Sequence, residues 1–509
     1  MIGDVATKKL VLTYVDSLRT DMLLRAVAEE RAPTFGALIE RGVLIEDCVS
    51  SFPSVTPVAC AEIATGAGGE RHWISGMNWY HRLERRYVEY GSSLDATRAF
   101  GVFRALYDLV YNLNLAHLNP DAATLFERLD DAGLRTACTP FLIYRGRHRH
   151  QVSLEGLLRR AVEATRLKFR HHTWGPAELF YGDLYASSEV PCRPSSIPGS
   201  RDAYSACCAA ELARRAAFDF LLFSLPDNDS YSHRHGPEAS VESIARADRC
   251  FAELVEAAGG LGAFLAEHAL ILLADHSQTL VDRGLPLSEL LGRQWAVLQP
   301  SDPRPEAAQL AVSPTGRAAH VYLLPAEGGE ADREDVRRAL TEIEGVDLVC
   351  RLDQGWATVE RGGGTIRFRP SPPGSQRISH AMQGICVATV VDLRGGAWDV
   401  EGDLASLEAR IEDGTLLSDS YPDPLRRVWS ALRSPQAGDF VLSLAPGYEA
   451  VDWGGVSHAG GGSHGSLRAG DSLGPLLFVG CAPSDAADRR QWALCDVASV
   501  VLDHFGLRR

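Results

Sequence analysis

The sequence predicts an α/β fold: a mostly parallel sheet flanked by helices, with an inserted cap region and a smaller α+β subdomain. The apolar runs 9–15 (KLVLTYV), 218–225 (FDFLLFSL) and 269–274 (ALILLA) lack the polar alternation of a half-exposed strand. They read as parallel strands buried on both faces. Each run stops abruptly near an acidic residue, and segments of helical period lie between the runs. Residues 1–82, 119–150, 216–300 and 440–509 are assigned to the sheet-bearing core, 83–118 and 151–215 to insertions that form a cap, and 301–439 to the smaller subdomain.

Taken in order, residues 9–15 end at Asp16, and DSLRTDMLLRAVAEE then starts a helix. Residues 32–41 form a helix stopped by Gly42, and 43–48 return as a second strand. Residues 50–66 (SSFPSVTPVACAEIATG) are the stretch around which the chain is organised. Thr56 before Pro57 is a helix-start signature, with Thr as the cap and Pro at the first helical position. That places the hydroxyl beside free backbone N–H groups at the positive end of a helix dipole, which suits a phosphoryl group. Alone, a Thr-Pro step is an ordinary cap. The Asp and His residues elsewhere change that reading.

Residues 72–82 (HWISGMNWYHR) suit a pocket wall or a packed loop. Residues 119–132 read as a helix ended by Gly133, and 134–144 as a strand. The histidine-rich 145–150 (RGRHRH), with His171 and His172, reads as solvated loop, Arg147 or Arg149 being candidates to touch an anion. Residues 174–201 read as a cap over the site and 203–218 as a helix. The strand 218–225 runs into a tight loop, PDNDSYSHRHGP, where Asp229 and His233 offer a carboxylate and an imidazole to one metal. Asp227 and His235 compete with them. Residues 240–258 carry Ile244, Ala247, Phe251 and Leu254 at helical spacing, a core-packed face. The run 269–274 ends at Asp275 and His276, where a buried charge needs a partner.

Beyond residue 286 a second unit begins, with a strand at 317–324, a helix at 334–344, short strands at 346–351 and 356–360, a hairpin near 362–368 and then the His380 region. A helix at 422–432 and a strand at 439–444 follow. Residues 454–467 (GGVSHAGGGSHGSL) offer His458 and His464 in a glycine bed that permits close backbone approach. A strand at 476–480 and a helix at 487–506, with Trp492, Leu494, Val497, Val501 and Leu502 inward, close the chain.

Bulk properties narrow the function classes. The chain has 509 residues, 45% hydrophobic and 23% charged, a globular composition with room for a large core. A net charge of −15 argues against a nucleic-acid coat or an anionic membrane surface as partner. An anionic substrate then needs local positive charge, most economically from metal ions. The start MIGDVATKKLVLTYVD lacks the apolar core of a signal peptide, and no run reaches membrane-span length. The 11 cysteines lack CxxC pairs, so they read as free thiols in a reducing cytoplasm, with Cys207 and Cys208 buried on a helix. Asp16, Asp275, His276, Asp229 and His233 each follow an apolar strand, and such strand ends share one edge of an open α/β sheet. With His464 and Thr56 they are enough for two metal ions, an arrangement suited to in-line displacement at phosphorus.

The motifs VDSLRTD, FPSVTPVACAEIATG, DSYSHRHGP, ADHS and GGSHGSL, in that order, resemble the type I phosphodiesterase/nucleotide pyrophosphatase family of the alkaline phosphatase superfamily. The resemblance spans residue 10 to the C-terminus, apart from most of 83–118 and 151–215. It implies an alkaline-phosphatase-like core and a bimetal site, zinc being favoured and manganese or iron being alternatives. Asp16, Asp275, His276 and the Thr56 oxygen would hold one ion, and Asp229, His233 and His464 the other. Thr56 would be the nucleophile, passing through a phospho-threonine intermediate on a small phosphate-ester substrate. Where the family carries His-Gly-Ile and an Asn five positions after the His, this chain has Trp73 for the Gly and Met77 at the Asn position, with Asn78 one later as the substrate-binding candidate. Sulfatase relatives need an Arg after the nucleophile and phosphomutase relatives a Ser; neither is present here. The expected function is a metal-dependent phosphodiesterase or pyrophosphatase. A phosphomonoesterase or phosphonate hydrolase on the same scaffold, and a non-catalytic metal-binding protein, are the alternatives.

Overall fold

Three adjacent parallel strands finish level with one another at the centre of the molecule, in a computed structural model that describes residues 7–152, 171–182, 184–302, 304–372, 379–382, 385–453 and 457–507. They are His268–Leu273, Lys9–Val15 and Phe220–Leu225, in that spatial order. Val15 lies opposite Leu225, and Tyr14 opposite Leu273. The full sheet has eight strands, extended on one side by Leu473–Val479 and Val43–Val49 and on the other by Thr136–Cys138, Glu178–Tyr181 and Tyr185–Ala186. The absence of polar alternation has a simple cause. Leu10, Leu12 and Tyr14 enter one core with Val58, Ala59 and Ile63, while Val11 and Val15 enter the opposite core with Phe35, Ile244 and Phe251. Each such buried Leu or Val contributes about 1.5–3 kcal/mol relative to an exposed one.

The expected α/β class with a mostly parallel sheet is the one found, with local corrections. Leu473–Val479 runs antiparallel to both its neighbours. The stretch PDNDSYSHRHGP is not a tight loop: Asp227–His235 is a helix, entered directly from the strand. Its polar residues follow helical spacing, which a reading keyed to apolar periodicity passes over. Residues 174–201 do not serve only as a cap, because Glu178–Tyr181 joins the main sheet in parallel with Thr136–Cys138. The strand expected at 134–144 is only Thr136–Cys138. The helix expected at 119–132 is Leu125–Asp131, delayed until Thr124 and Glu127 form a capping box. Residues 153–170 of the expected cap, and the side chain of His380, lie outside the described residues.

The free-thiol expectation is corrected at one pair. Cys192 and Cys207 form a disulfide, because the chain before the helix Arg201–Arg214 folds back on that helix's second turn. Cys208, one residue on, stays a free thiol turned into the core. The cysteine argument for a cytoplasmic location therefore loses its support. No helix of the described residues is long and apolar enough to cross a membrane.

The second unit is an 11-stranded, largely antiparallel sheet. Phe440–Leu444, expected with the core segment 440–509, lies inside this sheet between Ala318–Leu323 and Val346–Asp353. A small three-stranded sheet links the two units: Thr279–Leu285 pairs with Gly447–Ala450 and with the two-residue strand Gly462–Ser463. Beside it, the buried Arg317 guanidinium contacts Asp471 at 2.6 Å and also donates to Thr279 and to the carbonyls of Tyr448 and Ala445. Arg317→Met would leave the Asp471 carboxylate buried without its cation. A loss of about 3–5 kcal/mol in unfolding free energy is expected, measurable by urea denaturation.

Candidate active site

The level strand ends deliver the chemistry to one edge. Asp16 follows the central strand directly. Asp275 and His276 follow His268–Leu273 after Ala274, and the Asp227–His235 helix follows Phe220–Leu225 after Pro226. On that helix Asp229 and His233 are one turn apart, with His233 Nε2 3.2 Å from Asp229 Oδ1. His464 arrives from the far end of the chain. It follows Ser463, which pairs with Thr279 three residues after His276, so the His276 and His464 rings stack at 3.8 Å.

The result is two donor clusters. Asp16, Asp275 and His276 form one and Asp229, His233 and His464 the other, with ligand-capable atoms within 4.8 Å of one another in each. Ser17 joins them, donating to Asp229 Oδ1 at 2.8 Å and lying 3.2 Å from His276 Nδ1. Thr56 closes the arrangement, its Oγ1 3.3 Å from His276 Nε2. The Thr56–Thr65 helix begins one residue earlier than the sequence suggests: Val55, with no polar side chain, is the cap residue, and the Thr56 hydroxyl faces His276 instead. The hydroxyl is therefore not consumed by the helix start.

The electrostatics call for cations. Burial, then the neighbouring carboxylates of Asp275 and Asp229, push the Asp16 carboxyl well above its usual range. Burial pushes Asp275 up to about 6. At Asp229 burial works against ionisation, but His233 and then His464 hold its carboxyl well below the usual range. Burial lowers His276 to about 4 and His464 to about 3, which keeps both imidazoles neutral and able to donate a lone pair. Among the described residues, Asp16 Oδ1 is buried with no hydrogen-bond partner. The donor set of carboxylates and imidazoles, with an orphaned carboxylate oxygen among them, fits divalent ions.

Surrounding groups fix the donors. His233 Nδ1 faces the Gly462 carbonyl at 2.7 Å and His464 Nδ1 faces the Ser54 carbonyl at 2.9 Å, which leaves each Nε2 for a ligand. The Tyr14 hydroxyl and the Ser17 N–H donate to Asp275, and Gln278 donates to Asp229 at 2.7 Å. Sequence reasoning misses Ser17, Gln278 and Tyr14, although Ser17 lies within VDSLRTD and Gln278 directly follows ADHS. A Cβ on Gly461 would collide with the His233 carbonyl, so the glycine bed serves close packing.

The competing residues have other partners. Asp227 accepts from the Gly199 N–H at 2.8 Å and from Arg201 at 2.9 Å. His235 stacks on Tyr231. His458 stacks on His233 at 4.1 Å but turns Nδ1 to Glu449, 2.8 Å away. Arg147 pairs with Asp131 and Glu127, and neither it nor Arg149 lines the cavity at Thr56. That cavity measures about 1110 Å³. Met77 and Asn78 line it with Thr56, and Asn78 directs Nδ2 to the Pro314 carbonyl while its Oδ1 has no partner among the described residues. Ser92, Ser93 and Phe100, and Pro198 and Gly199, also line it.

A family profile described as type I phosphodiesterase/nucleotide pyrophosphatase matches residues 10–467. The chain belongs to the type I phosphodiesterase/nucleotide pyrophosphatase family. Membership makes it a phosphoryl-transfer hydrolase of the alkaline phosphatase superfamily, as its motifs suggested. No curated protein matches this family member by sequence. Solved structures share its fold. Phosphonoacetate hydrolase from Sinorhizobium meliloti 1021, in complex with phosphonoformate, is 16% identical with a TM-score of 0.54, covering 98% of this chain and 96% of that one. Murine ectonucleotide pyrophosphatase/phosphodiesterase 5 is 14% identical with a TM-score of 0.53, again covering 98% and 96%. An inactive threonine-to-alanine form of the murine protein was solved with AMP, at a TM-score of 0.54.

Proposed function

We propose that this phosphodiesterase-family chain hydrolyses phosphodiester or pyrophosphate bonds of a small molecule, with Thr56 as nucleophile and two divalent ions in the paired clusters. The observation that carries the reading is the uncapped Thr56 hydroxyl, 3.3 Å from His276 where the two donor clusters meet. Asp16, Asp275, His276 and the Thr56 oxygen would hold one ion, and Asp229, His233 and His464 the other. When bound, the ions polarise the phosphoryl oxygens and lower the pKa of the attacking hydroxyl. Zinc suits the mixture of carboxylate and imidazole, and manganese or iron suit it nearly as well.

The chain's own groups supply the rest. Thr56 stands at the start of a ten-residue helix, whose positive end favours both an alkoxide and an incoming phosphoryl group. Thr56 Oγ1 attacks phosphorus, the ester oxygen leaves opposite it, and the phospho-threonine is then hydrolysed to regenerate the hydroxyl. Asn78, on the cavity wall, is the residue we assign to a phosphoryl oxygen contact. The leaving group occupies the part of the cavity walled by the two insertions, so these set substrate choice. The murine relative's inactive threonine-to-alanine form with AMP supports the role of a threonine. The phosphonates bound by the Sinorhizobium neighbour keep phosphonate cleavage as the second reading.

The test is an assay of paired chromogenic mono- and diesters and a phosphonate, with zinc and with manganese, beside elemental analysis. Diester turnover and about two ions per chain are expected. No bound metal and no activation by any divalent ion would count decisively against the proposal.

A further inference from the structure

One buried cation outside the site has no carboxylate partner. Arg427 lies on the helix Pro424–Arg433, which packs on the second sheet, and is 5% exposed. Among the described residues no carboxylate lies within ion-pairing distance of it. Its guanidinium instead donates to the carbonyls of Pro422, Leu467 and Ser51, each at 2.9 Å, and to the Ser472 hydroxyl at 2.6 Å. A buried guanidinium satisfied mainly by main-chain oxygens is costly. Burial lowers its pKa to about 10.

The acceptors explain the placement. Ser51 belongs to the loop that delivers Thr56, while Leu467 and Ser472 lie on the C-terminal side of His464, in the stretch that anchors its segment. The two segments are laced together on both sides of the arginine. Ser54 donates its N–H to the Gly465 carbonyl at 3.2 Å and its hydroxyl to the Ser466 carbonyl at 2.8 Å. The Ser50 N–H donates to the Ser472 carbonyl at 2.8 Å. His464 Nδ1 meets the Ser54 carbonyl at 2.9 Å. Arg427 reaches both segments from a third element.

We propose that Arg427 is a positioning residue of the reaction: it clamps the nucleophile loop at Ser51 to the His464 segment at Leu467 and Ser472, and so sets the separation between Thr56 and the Asp229–His233–His464 cluster. The proposal rests on the functional reading above. It assigns a role in catalysis to a residue of the second unit that touches neither substrate nor metal ligand.

The experiment compares Arg427→Lys and Arg427→Met with the wild-type full chain. Circular dichroism checks folding, steady-state kinetics use a chromogenic diester, and zinc titration uses a competing chelator. In folded variants kcat should fall roughly 10–100-fold, with KM changed by no more than about threefold, because misplacement acts on the transition state. Lysine keeps the charge but cannot span all four acceptors, so it should lie between wild type and Met. Zinc affinity should weaken about tenfold for one ion and stay constant for the other. Folded variants with wild-type kcat and unchanged zinc affinities would overturn the proposal. If Arg427→Met does not fold, Arg427→Lys decides by the same readings. If the wild-type chain does not turn over the diester, the functional reading fails, while the zinc titration still decides: selective weakening supports the clamp and unchanged affinities refute it.

Discussion

Thr56→Ala should lose turnover by on the order of a hundredfold to several-thousandfold, about 3–5 kcal/mol of barrier. A threonine hydroxyl is almost never ionised at neutral pH, and the site answers that in two ways. Thr56 starts a helix without spending its oxygen on a cap, and it faces the donor cluster of Asp16, Asp275 and His276. Removing the oxygen removes the bond-forming atom but leaves those carboxylates and the imidazole in place. Metal content should therefore fall much less than rate. Thr56→Ser should keep part of the activity, since it loses only the methyl that restricts the rotamer. Mass spectrometry of an acid-quenched sample with substrate should find phosphate on the peptide carrying Thr56. Near-wild-type turnover in Thr56→Ala would sink the covalent route and point to direct attack by water.

Asp229→Ala and His464→Ala should each cripple turnover, on the order of a thousandfold, without unfolding the chain. Asp229 is the hub of its cluster. It meets His233 at 3.2 Å and His464 at 3.6 Å, and it accepts from Ser17 and Gln278. Its loss removes a charge that the two imidazoles cannot replace. The contrast is with Asp227→Ala and His458→Ala, expected to stay within about tenfold because their partners are Arg201 and Glu449 rather than the donor clusters. Kinetics beside metal analysis of all four variants check this. Equal losses at Asp227 and Asp229 would show that the wrong carboxylate has been assigned to the ion.

The parts of the site that sequence reveals are those with a one-dimensional signature. Asp16 and Asp275 each end an uninterrupted apolar run, and parallel strands with both faces buried leave no other place for a charge than the strand end. The helix Asp227–His235 was harder. It is polar almost throughout, so its period is invisible to hydrophobic patterning, and only the helix puts Asp229 and His233 one turn apart on one face. The seat of His464 was not legible. It depends on Gly462–Ser463, a strand too short for any periodicity, whose partner Thr279 lies far back in the chain. The Cys192–Cys207 bridge depends on a loop folding back, which spacing alone cannot reveal. The clamp at Arg427 is tertiary altogether, since its acceptors are main-chain oxygens that any sequence would carry.

That two-residue strand also makes the second cluster depend on a long-range pairing. Asp16, Asp275 and His276 come from strands that pair with each other, so the first cluster can form once those strands have docked. The second cluster waits for Gly462–Ser463 to find Thr279–Leu285. Non-local pairings of this kind are slow to form, because loop closure precedes the contacts that reward it. On the proposed two-ion reading, the binding energy of an ion at that cluster adds to the stability of this pairing.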